Sequence, residues 1–195
     1  MAARKTALRQ SLRGITAALS PTARDAAHAT LRQQIVGSEL WQAATRVMLF
    51  APLPDEPDVW PLLATALAAG KTVALPRFDS ASGGYVAAMI RNPAEEIMVG
   101  RFNVREPGAE CETLPLNRLD LILVPGVAFD RQCRRLGRGK GFYDRLLAAV
   151  TGSTCGVAYD HQLVDEIPTE PHDVPLNCIL TPSQRLVRPP CATGE

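Results

Sequence analysis

Apolar residues recur along the first forty positions at helical spacing. Leu8, Leu12, Ile15 and Leu19 form one stripe. Ser20-Pro21 then stops that helix and begins a second, with serine as N-cap and proline in the first helical position. Leu31 and Ile35 carry the pattern to Gly37, and a short helical piece follows around Trp41. There the period changes. Val47-Met48-Leu49-Phe50 and Thr72-Val73-Ala74-Leu75 are apolar runs of strand length, the second expected to close at Pro76. Between them lie a proline-rich loop at 52–57 and a helix from Trp60 that ends at Gly70. Residues 84–90 read as a third strand, and 119–124 as the strongest strand signal, followed by a helix over 142–150. Residues 156–159 and 178–180 supply two more strands. Between 92 and 115 the pattern weakens, and the tail from Pro189 is expected to fray. Short apolar strands alternating with helices imply an α/β domain. Its mostly parallel sheet is covered on both faces, with the N-terminal helical pair packed against it.

Composition narrows the function classes. A chain of 195 residues has the length of one domain, and residues 1–195 are read as one. With 46% hydrophobic residues there is enough apolar side chain for a core, which excludes wholesale disorder. A net charge of +1 argues against a surface that tracks a polyanion. The start is basic but never runs into an apolar stretch, so it does not read as a secretory signal. No window is apolar enough to span a membrane. The five cysteines are odd in number and lack C-x-x-C spacing, which suits reduced thiols in a cytoplasmic protein.

One segment departs from this even charge. A buried strand ends at Val124-Pro125-Gly126 and leads to Arg131-Gln132-Cys133-Arg134-Arg135-Leu136-Gly137-Arg138-Gly139-Lys140-Gly141-Phe142-Tyr143-Asp144. Five of the ten residues from Arg131 to Lys140 are basic, and glycines stand at three alternate positions before a helix. Glycine lets backbone N–H groups approach an anion, a helix start adds a favourable field, and Arg138 and Lys140 can neutralise phosphate. The motif is neither a P-loop nor a dinucleotide fingerprint, so a solvated basic turn remains the plainer alternative. Lys5 and Arg9 lie i,i+4 on one helix side, as a binding pair or a solvated face. Glu56 follows the first strand in the proline loop, and Asp144 opens a helix, where a carboxylate often serves the helix dipole. Asp173 precedes the last strand. The three histidines form no triad with a serine or cysteine, which gives nucleophilic hydrolysis little support.

The glycine segment resembles the signature of the 5-formyltetrahydrofolate cyclo-ligase family, whose members are also called 5,10-methenyltetrahydrofolate synthetases. The resemblance extends through Leu53-Pro54-Asp55-Glu56, Leu75-Pro76-Arg77, Glu106-Pro107 and Pro171-His172-Asp173, and covers nearly the whole chain. It implies a three-layer α/β/α sandwich like those of sugar-phosphate isomerases and CoA transferases. It also implies an ATP- and Mg²⁺-dependent ring closure of 5-formyltetrahydrofolate to 5,10-methenyltetrahydrofolate. In that reaction the formyl oxygen attacks the γ-phosphate, N10 closes on the activated carbon, and phosphate leaves.

By the same resemblance, Lys5, Arg9 and the run Arg135, Leu136, Gly137, Arg138, Gly139, Lys140, Gly141, Phe142 and Tyr143 match ATP-contacting positions. Lys140 and Arg138 carry the catalytic charge stabilisation, and Asp144 and Asp173 match magnesium positions. Glu56 matches a folate-contacting carboxylate, and Phe102 falls where the family has an aromatic residue near the pterin. The partner implied is the small-molecule folate, polyglutamylated forms included, with no nucleic acid, membrane or obligate protein partner. Two positions depart from the pattern: Cys133 stands where many members have glycine, and Phe142 replaces a usual tyrosine. The competing readings are a sugar-phosphate isomerase or transferase, a non-catalytic nucleotide or folate sensor, and a nucleic-acid binder.

Overall fold

Two residues, Leu19 and Ser20, join the two N-terminal helices. In the computed structural model, which describes residues 2–100, 103–170 and 173–189, helix α1 spans Ala2–Ala18 and α2 spans Pro21–Gly37. The Ser20 side chain accepts the Ala23 N–H at 3.2 Å, with Pro21 in the first turn, where its missing N–H is no loss. Ser38 repeats the device between α2 and α3 (Glu39–Ala43).

Strand β1 (Arg46–Met48) follows, then α4 (Leu62–Ala68), β2 (Thr72–Asp79) and β3 (Gly84–Ile90). The next stretch holds α5 (Pro93–Glu96), β4 (Ile97–Val99), β5 (Arg105–Pro107) and β6 (Thr113–Leu114). Strands β7 (Leu121–Val124), β8 (Ala128–Asp130) and β9 (Arg135–Leu136) lead to α6 (Phe142–Leu147). Strands β10 (Ser153–Val157), β11 (Leu163–Val164), β12 (Cys178–Leu180) and β13 (Arg185–Val187) complete the described chain.

The large sheet runs in the order β13-β12-β10-β7-β1-β2-β3-β6. Its five central strands are parallel; β13 and β3 flank them antiparallel, and β6 pairs antiparallel with β3 at the edge. A parallel sheet buries both faces, which is why Leu121-Ile122-Leu123-Val124 is apolar without alternation. Leu121 and Leu123 face a core with Leu31, Trp41 and Leu62 from α2, α3 and α4. Ile122 and Val124 face Leu146 and Leu147 of α6 on the other side. These are the three layers. Helix α2 covers the large sheet, while α1 packs Leu12 against Val127, Leu136 and Ile167 beside a small sheet of β11-β8-β9. Among the described residues no helix is long and apolar enough to cross a membrane.

Several expected boundaries move for identifiable reasons. Strand β2 passes through Pro76 instead of ending there. The Ala74 carbonyl accepts from Leu49 N on the β1 side, and Pro76 shares that side. The β1 register ends at Ala74, so Pro76 has no neighbour that needs its N–H. Strand β7 begins at Leu121 because a 3-10 turn occupies Leu116–Arg118 and the Asp120 side chain ties down Thr45 and Arg46. Strand β10 starts at Ser153, three residues before the expected one, and α6 stops at Leu147. Ile15 is 45% exposed, and its place in the α1 stripe is taken by Thr16, whose hydroxyl meets His161 Nε2 at 2.7 Å.

Candidate active site

Above the carboxyl ends of β1, β2 and β7 lies a cleft of about 530 Å³, where open α/β sheets ordinarily bind ligands. The glycine loop forms one wall. Gly139 and Gly141 have φ values of 96° and 65°, the left-handed region that side chains resist. A Cβ on Gly137 would lie 2.7 Å from Nη1 of Arg135, so a side chain there would have to displace that guanidinium. The loop delivers Arg135 through Tyr143 to the cleft, with Lys140 at its exposed tip and Leu136 buried beneath it.

Helix α1 closes the cleft from the side. Arg9 Nε donates to the Gly137 carbonyl at 2.8 Å, so the helix holds the loop directly. Lys5, only 8% exposed, donates to Glu170 Oε2 at 2.8 Å and Asp173 Oδ2 at 3.0 Å. Burial disfavours its ammonium, but the two carboxylates outweigh that and raise its pKa.

Asp144 sits in the first turn of α6 but does not cap it; the N-cap position belongs to Gly141. Its Oδ1 instead accepts from Nη2 of Arg135 at 2.8 Å. Arg135 is itself buried and reaches the Pro125 carbonyl at 3.3 Å, and among the described residues its Nε has no hydrogen-bond partner.

Glu56 is drawn into the same network. The turn 53–56 brings its Oε2 to the Leu53 N–H at 3.0 Å, and Oε1 takes two donors of Arg138 at 3.1 Å each. Arg138 also pairs with Asp55. Burial raises the Glu56 pKa, against the opposing pull of the Leu53 N–H and of Arg138.

The structure therefore brings Lys5, Arg9, the loop, Glu56, Asp144 and Asp173 to one cleft. Phe102 lies outside the described residues. Four further residues at the site were absent from the sequence candidates: Asp55, Tyr85, Glu106 and Glu170. Asp55 and Glu106 lie within motifs that carry the resemblance, and Glu170 directly precedes one, so their signal was adjacency. Tyr85 reads as an ordinary strand residue. Phe142 packs edge-on against Tyr85 and Phe78, with ring centres 5.0 and 5.6 Å apart. Replacing a tyrosine by phenylalanine at 142 thus keeps the ring contacts. Cys133 adopts φ 58° within the buried turn after β8, the conformation that glycine accepts most easily.

A model of the 5-formyltetrahydrofolate cyclo-ligase family matches residues 1–182. A 5-formyltetrahydrofolate cyclo-ligase from Escherichia coli (strain K12) is 37% identical over 169 residues, 78% of this chain and 91% of that protein. One from Mycolicibacterium smegmatis is 36% identical over 190 residues, 94% of each. Among solved structures, a 5,10-methenyltetrahydrofolate synthetase from Aquifex aeolicus superposes with a TM-score of 0.87 at 30% identity, covering 98% of this chain and 96% of that one.

Proposed function

The chain belongs to the 5-formyltetrahydrofolate cyclo-ligase family, and from that premise we propose that it uses ATP to close 5-formyltetrahydrofolate to 5,10-methenyltetrahydrofolate. The formyl oxygen takes the γ-phosphoryl group and ADP leaves. N10 then bonds to the activated formyl carbon and gives up its proton to solvent, and that carbon's bond to the phosphorylated oxygen breaks to release phosphate. No protein nucleophile is required. Phosphoryl transfer needs position and charge neutralisation, which the cleft's residues are suited to supply.

The observation that carries this reading is the Arg138–Glu56 pair. It joins the phosphate-type loop to a buried carboxylate of the 53–56 turn, at 3.1 Å, so two substrates would meet there. Lys5, Arg9 and the loop Arg135, Leu136, Gly137, Arg138, Gly139, Lys140, Gly141, Phe142 and Tyr143 hold the nucleotide, with Lys140 and Arg138 facing the transferred charge. Glu56, with Phe102, receives the folate, the carboxylate accepting the ring's N–H groups.

Mg²⁺ fits the donor set. The described residues hold no group of three or more potential metal ligands, but this cation ordinarily takes one or two carboxylates together with substrate phosphates. Asp144 and Asp173 both line the cleft and would hold it. Both carboxylates are already paired, with Arg135 and Lys5, which favours arrival of the ion with the nucleotide. Bound there, it would neutralise phosphate charge. The described cysteines are all free thiols, in keeping with a reducing compartment, and we place this single catalytic domain in the cytoplasm.

The test is the appearance of methenyltetrahydrofolate absorbance from purified protein and 5-formyltetrahydrofolate. It should require both ATP and Mg²⁺. ATP hydrolysis without folate product would instead identify a nucleotide-sensing module.

A further inference from the structure

Tyr85 belongs to no motif, and the reading above gives it no part. It stands near the start of β3, yet its ring lines the cleft. That ring is fixed on three sides. Phe142 lies 5.0 Å away at 66°, Tyr143 6.1 Å away at 60°, and Phe78 6.2 Å away at 89°, all edge-on arrangements. Three rings that hold a fourth also aim its hydroxyl. Among the described residues this hydroxyl has no hydrogen-bond partner, although the residue is half-buried.

Its neighbours define what it can do. Burial, and then the charges of Glu106 and Glu56, which line the same cleft, keep the Tyr85 phenol protonated above its usual range. Ionised carboxylates only accept hydrogen bonds. They can take the amino and ring N–H groups of a pterin, but not its adjacent 4-oxo oxygen, which is an acceptor. A neutral hydroxyl beside them supplies the missing donor. Phe142, against which Tyr85 packs, has no hydroxyl to offer.

We propose that Tyr85 is a specificity-determining residue of the folate half of the cleft, its hydroxyl donating to the 4-oxo oxygen of the bound pterin. The inference rests on reading this cleft as the folate site. It predicts that Tyr85→Phe weakens 5-formyltetrahydrofolate binding about 10-fold, the scale of one hydrogen bond in a closed site, and leaves the ATP dissociation constant unchanged.

The decisive measurement is calorimetric binding of two ligands, 5-formyltetrahydrofolate and its 4-amino-4-deoxy analogue, which offers a donor where the folate has an acceptor. Wild type should prefer the 4-oxo compound, and Tyr85→Phe should lose most of that preference while its thermal midpoint stays in place. Equal folate affinity in the two proteins, or undiminished discrimination in the variant, overturns the assignment of Tyr85 alone. A wild-type protein that binds no folate overturns the folate reading and this inference together. The hydroxyl can also be restored on the neighbouring ring. Phe142→Tyr added to Tyr85→Phe should recover affinity with less discrimination, and full recovery of the discrimination would place the specifying hydroxyl at 142 instead.

Discussion

Arg138 donates through Nε and Nη2 to one oxygen of Glu56, at 3.1 Å in each case, while the other oxygen accepts from the Leu53 backbone. Both oxygens of a buried carboxylate are thereby oriented before any ligand arrives, and each retains accepting capacity. The consequence is directional. Glu56→Gln keeps the shape but presents a donor where an acceptor is needed, so folate affinity should fall roughly 5- to 150-fold while ATP affinity changes little. Separate dissociation constants decide it, and a selective loss of ATP would mean that Glu56 serves the nucleotide.

Lys140 lies at the exposed tip of the loop and lines the cleft. Lys140→Ala removes positive charge without opening a cavity in the core. We expect turnover to drop about 100-fold or more, the scale of one preorganised electrostatic donor, with the thermal midpoint nearly unmoved. Near-wild-type rates at saturating ATP would remove Lys140 from the mechanism.

Asp144→Asn tests two roles at once. An amide is a poor ligand for a hard cation, so the Mg²⁺ concentration for half-maximal rate should rise more than the folate requirement. The variant also leaves the buried Arg135 guanidinium without its counter-charge, at a cost of about 1–3 kcal/mol in unfolding free energy. A helix-capping role alone would let asparagine substitute well, and a Mg²⁺ titration beside a urea melt distinguishes these outcomes.

Cys133 couples a left-handed backbone to full burial, packed with residues such as Phe129 and Leu176. Cys133→Gly should therefore change stability by less than about 1 kcal/mol, relief of the backbone offsetting the lost side chain. Cys133→Val should cost more than about 2 kcal/mol, because a β-branched residue resists this φ. If valine is the better tolerated of the two in urea unfolding, packing and not backbone geometry governs the turn.

Two histidines set the response to mild acid. His28 meets the Tyr159 hydroxyl at 2.6 Å and His161 meets Thr16 at 2.7 Å, and burial lowers both pKa values from 6.5. The unfolded chain then binds protons more readily than the folded one. The stability these groups contribute is complete above about pH 6.5 and is lost as pH falls through their lowered values. Glu56, raised by burial, acts in the opposite sense, its contribution being lost as pH rises above 4.5. Unfolding free energy should fall between pH 7.5 and 5.5, less steeply in a His28→Gln, His161→Gln double variant. An equal slope in both proteins would exclude the histidines as its cause.

What the sequence discloses here is the backbone's special demands. The alternate glycines of the loop, the Ser20-Pro21 cap and the unbroken apolar run of β7 are local requirements, visible without the fold. Residues 92–115 were unreadable because β4, β5 and β6 are only two or three residues long and bury few side chains, so no period develops. Pro76 misled for a different reason: whether a strand can carry proline depends on where its neighbour stops, which is a property of the sheet. The pairing of Lys5 with Asp173, and of Arg138 with Glu56, is likewise tertiary. Each carries charge in a motif of its own, and nothing along the chain says which meets which.

The contact between Lys5 and Asp173 spans 168 positions. A ribosome must therefore deliver residues through Asp173 before the first helix can make this contact, and segments far apart in the sequence become neighbours through the cleft itself. Long-range closures of this kind come late in folding, after the local elements have formed. A chain cut before Asp173 thus lacks part of one wall of the site however well its sheet has formed, and the cleft waits on that segment.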